Sequence, residues 1–386
     1  MQDKMKTDSI ASDASAASVE GHFAPVYKVL TEAIAARAFP GCAFGVFADG
    51  NVVLQDALGR STYDSDAFEV APNTIYDIAS ITKVVATTAS AMLLAQRGVL
   101  DLDTPLGELL PGFVVGRPSE QRAREVTVRH LLAHNSGLPR YAELFRTATT
   151  PDNLLRACLQ MPLEAEPGTR ADYSDLGFIL LGKALEVLTR ESLATWTQSQ
   201  IFDPLQLAAT GFNPPRGVTS LIPPTENDAT FRQRRIQGEV QDENAWVLNG
   251  IAGHAGVFSN VPDLLRFAAA ILEAGRSSGN QDVQIEPLFS KRIIDQFATR
   301  QGPEGSSRAL GWDTPSENSS SGHYFSKHSI GHLGFSGCSL WIDLDAEIAV
   351  VLLTNRTWPD RTSQLIREVR PAFHDATRSA LGSIEK

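Results

Sequence analysis

Cysteine is scarce in this sequence, and long apolar runs are missing from it. Three cysteines occur among the 386 residues, namely Cys42, Cys158 and Cys338. An odd number without a C-x-x-C pair does not build a disulfide framework, so we expect three small buried side chains. No uninterrupted apolar stretch approaches the roughly 18 residues that a transmembrane helix needs. The chain is therefore not expected to enter a membrane.

Positive charge is also in short supply. The 34 basic residues face 45 acidic ones, and the resulting net charge of −11 disfavours nucleic acid and anionic membranes as partners. The first 20 residues are rich in Ser, Ala and Asp and lack the apolar core of a secretory signal. They predict a disordered leader at 1–20 and, because no signal is visible in this sequence, a cytoplasmic protein. A periplasmic or secreted protein would follow if a signal had been trimmed.

Strand and helix signals are unevenly distributed along the rest of the chain. Four short segments of strand character lie near its two ends, at 43–47, 52–57, 339–343 and 348–354. Mostly helical signals fill the middle, and the length exceeds the usual size of one hydrophobic core. We therefore predict an α+β fold with an antiparallel sheet and terminal helices, built from 21–76 and 305–386. A mostly helical lobe is inserted at 77–304.

Individual residues refine this outline. The dipeptide Asp49-Gly50 predicts a tight hairpin between the first two strands. A helix is predicted from Ile81 to about Arg97, and a final helix from near Asp360.

Ser80-Ile81-Thr82-Lys83 is the segment with the clearest chemical meaning. Residues three apart on a helix share a face, so Lys83 can bring its amine to the hydroxyl of Ser80. A serine needs a base to become a nucleophile. The neighbours of Lys83 are apolar, and we expect this surround to lower its pKa enough for it to act as one. Ser80 also lies at a predicted helix start, where the dipole favours developing negative charge.

The Ser-x-x-Lys spacing alone is weak evidence for a nucleophile, because residues 383–386 have it too. The segments that surround Ser80 and follow it are more specific. Four segments occur in order: residues 75–83 (IYDIASITK), 131–139 (LLAHNSGLP), 173–178 (YSDLGF) and 331–337 (GHLGFSG). Through these segments the chain resembles the β-lactamase-like serine hydrolases over about residues 23–375. That superfamily includes class C β-lactamases, penicillin-binding D,D-peptidases, family VIII carboxylesterases and amidases related to cell-wall recycling.

The resemblance implies an active site between the two lobes and a role for each of its residues. Ser80 would attack a carbonyl carbon and carry the acyl group, while Lys83 and Tyr173 would share the proton transfers. Which of these two is the base stays open. The N–H groups of Ser80 and Phe335 would form the oxyanion hole. The substrate would be a small molecule, no cofactor or metal is implied, and the oligomeric state is unknown.

Two departures from the family's motifs bear on the substrate. β-Lactamases and D,D-peptidases grip a substrate carboxylate with Lys-Thr-Gly or Lys-Ser-Gly, where this chain has His332, Leu333 and Gly334. Histidine is mostly neutral at pH 7, and leucine has no donor. Asp175 replaces the Asn of many relatives and would repel anionic substrates unless it pairs with a cation. The predicted substrate contacts in these motifs are Asp175, His332, Gly334 and Ser336.

A fifth feature indicates which branch of the family the chain resembles. Residues 241–245 (QDENA) and 253–259 (GHAGVFS) resemble a signature of the subgroup with N-acetylmuramoyl-L-alanine amidase-type enzymes. Those relatives often have His in place of Gln241. Asp242 and Asn244 are predicted to hydrogen-bond a polar, sugar- or peptide-like substrate. The alternative is a solvated loop before a Gly-rich turn.

Other functions remain as alternatives. His130 and His134 have the i, i+4 spacing of a helical zinc pair, but Leu131 takes the place of the glutamate and no third ligand is evident. The leading hypothesis is an amidase for muropeptide-like N-acyl amino acids. The second is a family VIII-type carboxylesterase for short acyl esters with weak β-lactamase activity. The third is a non-catalytic, ligand-sensing pseudo-enzyme.

We predict feeble hydrolysis of nitrocefin. With His332 and Leu333 at the strand positions, the charge-assisted contact to the β-lactam carboxylate is lost, and such a contact contributes about 2 kcal/mol. The rate of nitrocefin colour change at saturating substrate measures this. Fast turnover would contradict the argument from the carboxylate.

Overall fold

The structure is a computed structural model that describes residues 21–117, 120–274 and 287–382. The predicted leader at 1–20 and the second Ser-x-x-Lys match at 383–386 lie outside these residues. The three cysteines are free and buried, as expected. Among the described residues, no helix combines the length and the apolar character needed to cross a membrane.

The regular elements are numbered in chain order. The strands are β1 (Gly41–Ala48), β2 (Asn51–Gly59), β3 (Tyr76–Asp77), β4 (Gly211–Phe212), β5 (Glu226–Asp228), β6 (Arg234–Ile236), β7 (Val257–Ser259), β8 (Ser329–Leu333), β9 (Ser339–Asp343) and β10 (Ile348–Thr354). The helices are α1 (Ala24–Ala35), α2 (Ala89–Gln96), α3 (Leu106–Leu109), α4 (Glu120–Glu125), α5 (Val128–Leu132), α6 (Pro151–Leu159), α7 (Asp175–Thr189), α8 (Leu193–Thr197), α9 (Glu243–Val247), α10 (Val261–Glu273), α11 (Lys291–Ala298) and α12 (Ile366–Gly382).

Five strands from the two ends of the chain form one antiparallel sheet in the order β2-β1-β10-β9-β8. The inner strands β1 and β10 are buried along their whole length, so both faces are covered. Phe44 and Val46 face the terminal helices α1 and α12. Ala43 and Val351 belong to the core on the other face, against α10. This sheet with its terminal helices confirms the predicted α+β fold class.

The hairpin between β1 and β2 forms at the predicted dipeptide. Asp49 and Gly50 both have positive φ, 52° and 79°, as mirror-image turns between antiparallel strands require. Glycine adopts this conformation without steric cost, and aspartate tolerates it. The turn therefore fixes the start of the sheet locally.

A mostly helical part lies between β2 and β8 along the chain. Its longest helix, α7, is buried on most sides and packs against α5 and α6. A small sheet of β3, β7 and β4 accompanies these helices. The lobe boundaries at 76/77 and 304/305 stay predictions.

The helix expected from Ile81 to about Arg97 is not regular. A 3₁₀ turn at Ala79–Ile81 leads into wide π-helical turns at Lys83–Thr88, and only then does α2 begin. The hydroxyl of Thr82 accepts the N–H of Val257, and the hydroxyl of Thr87 donates to the carbonyl of Gly253. These tertiary contacts accompany the departure from the regular helix that local sequence suggests.

The last helix also begins later than predicted. It starts at Ile366 and not near Asp360. The Asp360 carboxylate accepts the N–H of Thr362 at 2.9 Å, an Asx-turn contact that regular helix does not follow directly.

Asp77 in β3 connects three segments beside the predicted nucleophile. Its buried carboxylate accepts the N–H groups of Ala79 and Gln241, each at 2.8 Å. Its carbonyl accepts the hydroxyl of Ser336 at 2.8 Å. Burial raises the pKa of Asp77 to about 6, although the two N–H donors lower it. The segment that ends at Ser80 is thus fixed to the loop before α9 and to the turn after β8.

We predict that Asp77 makes folding depend on pH between about pH 4 and 6. Its pKa rises from 3.8 to about 6 on folding, so the folded protein binds the extra proton here and the free energy of unfolding falls as the pH rises. The shift corresponds to a loss of order 3 kcal/mol. In urea unfolding at several pH values, the free energy of unfolding of the wild type minus that of Asp77→Asn should fall as the pH rises through this range, because the other titrating groups, including the buried histidines, contribute alike to both proteins. Equal slopes in both proteins would contradict the assignment.

Candidate active site

Ser80 lies in a tight turn at the start of the irregular helix. Ala79, directly before it, has φ 47°, a conformation that L side chains rarely adopt, and its N–H is held by the Asp77 carboxylate. Ser80 borders the cavity described below. The wide turns that follow place Lys83 beside it, and such π-helical turns are frequent at functional sites.

Lys83 is completely buried, and its ammonium group has three hydrogen-bond partners. Nζ donates to Ser80 Oγ at 3.0 Å, to Asp175 Oδ1 at 2.7 Å and to the carbonyl oxygen of His254 at 3.0 Å. The three partners come from three separate parts of the chain. The structure therefore brings the predicted serine and lysine together and adds the carboxylate of Asp175, the first residue of α7.

The expectation of a lowered pKa for Lys83 is wrong. Burial lowers it, but the charge of Asp175 and the neighbouring Tyr173 raise it more, so that the pKa lies above its ordinary value. Lys83 is thus an ammonium ion in the resting protein. The apolar neighbours of Lys83 in the sequence do not indicate that it is protonated, because its counter-charge comes from Asp175, 92 positions away.

Tyr173 approaches the same two groups from the loop before α7. Lys83 Nζ lies 4.8 Å from the centre of its ring, and Tyr173 and Ser80 border the same cavity. Burial raises the pKa of Tyr173, while the charge of Lys83 opposes this and Asp175 adds to it. The side chain is therefore a neutral phenol at pH 7.

The start of α7 is positioned by His134. Ser174 caps the helix by accepting the N–H of Gly177 at 3.1 Å, and its own N–H donates to His134 Nδ1 at 3.0 Å. Burial holds the pKa of His134 well below its ordinary value. His130 caps α5, where its Nδ1 accepts the N–H of Thr127. Among the described residues, no group of three potential metal ligands occurs, and both histidines have structural contacts.

His332 and Gly334 form the opposite wall. His332 is buried and its Nδ1 contacts the carbonyl of Leu333 at 2.8 Å. Burial, then the charges of Lys83 and Arg308, lower its pKa well below the ordinary value, so it is neutral. A Cβ at Gly334 would lie 2.5 Å from the carbonyl oxygen of Ile78. Only glycine allows this wall to approach the nucleophile segment so closely.

Phe335 stands at the rim of the cavity. Its side chain is 49% exposed, and the guanidinium groups of Arg356 and Arg361 lie 4.4 Å and 5.5 Å from its ring centre. The predicted role of its N–H, together with that of Ser80, in an oxyanion hole stays a prediction.

Asp242 forms the start of α9 and part of the cavity wall. It caps the helix by accepting the N–H of Ala245 at 2.7 Å, and it contacts His254 Nε2 at 2.8 Å. Burial raises the pKa of Asp242, but His254, the N–H of Ala245 and the charge of Lys83 together lower it more, to about 2. Asp242 is therefore ionised, and the same His254 residue supplies the carbonyl that holds Lys83.

Two residues predicted to contact substrate do not reach the cavity. Asn244 is fully buried, accepts the N–H of Phe145 at 3.0 Å and donates to the carbonyl of Ala142 at 2.9 Å. Ser336 is equally buried, and its hydroxyl donates to the carbonyl of Asp77. Their polar groups are satisfied by the backbone, so both positions are structural. Asp175, Asp242, His332 and Gly334 do border the cavity.

The cavity has a volume of about 640 Å³ and an unexpected number of cationic side chains. The arginines that line it are Arg140, Arg308, Arg356, Arg361, Arg367 and Arg370. Arg308 lies 5.3 Å from the centre of the Tyr173 ring and 3.9 Å from Asp313. No local motif marks these arginines, because they reach the site from loops and helices that are distant in the sequence.

The site contains what acyl transfer requires. A hydroxyl lies within hydrogen-bonding distance of an ammonium group, a phenol is beside both, and a carboxylate balances the charge. These groups face a cavity of a size that accommodates a small molecule.

Known proteins have similar sequences over most of the chain. A family described as Beta-lactamase matches residues 26–370. An N-acetylmuramyl-L-alanine amidase of Bacillus subtilis (strain 168) is 29% identical over 352 residues, which cover 83% of this chain and 78% of that protein. A Salmonella typhi protein provisionally named as a D-alanyl-D-alanine carboxypeptidase is 29% identical over 351 residues, 82% of this chain and 79% of that protein.

A solved structure agrees with these matches at the level of the fold. EstCE1, described as a hydrolase with promiscuous acyltransferase activity, has a TM-score of 0.75 and 20% identity. The likeness covers 94% of this chain and 99% of that one. Because the family match spans nearly all the described residues and the site has the matching chemistry, the chain belongs to the beta-lactamase family and is a serine hydrolase.

Proposed function

We propose that this serine hydrolase acts through an acyl-enzyme on a small amide, and that muropeptide-like N-acyl amino acids are its substrates. The observation that carries the mechanism is the hydrogen bond of 3.0 Å between Lys83 and Ser80, with Tyr173 beside both groups. A binding protein has no need for all three groups in this arrangement.

The reaction would begin at Ser80. Its Oγ attacks the carbonyl carbon, and its proton enters the network of Lys83 and Tyr173. The N–H groups of Ser80 and Phe335 would stabilise the oxyanion. Tyr173, a neutral phenol, can donate a proton to the departing nitrogen, and water then releases the acyl group from Ser80.

The charges around the cavity support a polar substrate that has a carboxylate. Asp175 is paired with Lys83 at 2.7 Å, so the repulsion of anions that the sequence suggested is largely cancelled. The guanidinium group of Arg308, which is 3.9 Å from Asp313, lies beside Tyr173, and Asp242 is an ionised acceptor in the cavity wall. The relatives named as an amidase and a D-alanyl-D-alanine carboxypeptidase also favour an amide.

A short-chain carboxylesterase is the second candidate. The structural neighbour EstCE1 is described as a hydrolase with promiscuous acyltransferase activity, and the half-exposed Phe335 offers apolar surface at the cavity rim. Because an ester is easier to cleave than an amide, the same groups can serve both reactions.

We predict that an activated phosphonate probe modifies Ser80. Phosphonylation traps an activated serine, so mass spectrometry should place the label there and Ser80→Ala should remain unlabelled. The same variant should lose roughly 10⁴-fold or more of any turnover. Ser316→Ala, which removes an exposed serine, is the control and should label like the wild type. A wild-type protein that resists every such probe would favour the non-catalytic sensor.

The choice of substrate is tested by a direct comparison. Turnover of N-acetylmuramoyl-L-alanine and of p-nitrophenyl butyrate is measured with the same preparation, and Ser80→Ala serves as the blank. We predict cleavage of the amide. Activity on the ester alone would rule out the amidase proposal in favour of the esterase.

A further inference from the structure

The first step of acyl transfer must remove the proton of Ser80, so the site needs a group that can accept it. Lys83 is protonated and Tyr173 is a neutral phenol, so neither group is ready to accept a proton. His332 is not hydrogen-bonded to Ser80, because its Nδ1 contacts the carbonyl of Leu333 and its Nε2 has no hydrogen-bond partner among the described residues. An acyl transfer from Ser80 therefore needs another acceptor.

The contacts of Lys83 identify that acceptor. An ammonium group has three N–H donors, and those of Lys83 match Ser80 Oγ, the His254 carbonyl and Asp175 Oδ1. Ser80 is the proton source, and a peptide carbonyl is far too weak a base. Asp175, at 2.7 Å, is the only one of the three partners that can become protonated.

We infer that Asp175 is the proton acceptor of acylation and acts through Lys83. Lys83 Nζ first passes a proton to Asp175 Oδ1, which frees a lone pair on the amine. The amine then rotates toward Ser80 and takes the Oγ proton as Oγ bonds to the carbonyl carbon. This inference rests on the proposed Ser80 chemistry and specifies its base. Asp175 is a positioning residue in the sense that it touches Lys83 and not the substrate carbonyl.

The charges and atoms balance through the step. Lys83 is an ammonium ion before and after it, and the negative charge of Asp175 moves to the substrate oxyanion. When the carbon–nitrogen bond breaks, the leaving nitrogen takes a proton from Tyr173, which is replaced from Asp175 through Lys83. Acylated Ser80, a neutral amine and an ionised Asp175 result, so no external acid or base is consumed.

Burial makes this route favourable. The side chain of Lys83 is inaccessible to solvent and that of Asp175 is 18% exposed, so water does not compete strongly for the proton between them. The charged or titratable groups around the pair are Tyr141, Tyr173, His134, Asp242, His254, Arg308 and His332. Among them, Asp242 is the other ionised carboxylate, and it is engaged with His254 and the start of α9.

Asp175→Asn is the decisive variant. The amide has nearly the same shape and can still accept a hydrogen bond from Lys83, but it cannot take up a proton. The rate of Ser80 phosphonylation and kcat/KM at pH 7 should each fall by about 10²-fold or more. Without its counter-charge, buried Lys83 has a lower pKa. Residual activity should therefore rise with pH over a range in which the wild-type rate is flat, as neutral Lys83 becomes the base.

A neighbouring carboxylate provides the matched control. Asp172 lies in the same loop and pairs with Arg170, so Asp172→Asn should keep the wild-type rate and pH profile. An Asp175→Asn rate within about threefold of wild type would overturn the inference. A loss that is equal at every pH would also overturn it, because that is the result of a merely structural role.

The wild-type protein supplies a second measurement that does not depend on the folding of a variant. Phosphonylation of Ser80 is followed in mixtures of H₂O and D₂O. Two protons in motion should give a curved dependence of the rate on deuterium fraction, and a straight line would contradict the relay. If wild-type Ser80 does not react at all, the proposed function fails; if it reacts and Asp175→Asn matches it, only the relay fails.

Discussion

The buried ammonium group of Lys83 is the constraint on which the site depends. A charge without solvent is costly unless it is paired and hydrogen-bonded. Lys83 satisfies this requirement with Ser80, with Asp175 at the start of α7 and with the backbone of His254. The nucleophile turn, the longest helix of the helical part and the segment before β7 must therefore meet at one point.

The pairing of Lys83 with Asp175 also changes which substrate charges the site can bind. In the sequence, Asp175 appears as an additional negative charge and Lys83 as a lysine in an apolar surround. In the fold they form one nearly neutral pair. The net field in the cavity is then set by other residues, among them ionised Asp242 and the cationic Arg308.

Buried hydrogen bonds and one close backbone approach fix the two walls of the cavity relative to each other. Asp77 fixes the turn at Ala79, the loop at Gln241 and, through its carbonyl, Ser336. Gly334 allows the end of β8 to approach the carbonyl of Ile78. Such buried hydrogen bonds position the reacting groups without touching the substrate, and this explains why Ser336 is structural.

Residues close together in the sequence were sufficient to predict a large part of the fold and of the site. Short segments of strand character and the Asp49-Gly50 turn predicted the sheet and its first hairpin, because strand preference and turn conformation depend on near neighbours. The spacing of Ser80 and Lys83 predicted their contact for the same reason. Only the tertiary structure decided the protonation of Lys83, the burial of Asn244 and the arginines of the cavity. Each of these depends on contacts between residues that are far apart in the chain, and neither composition nor local spacing specifies which of them will meet.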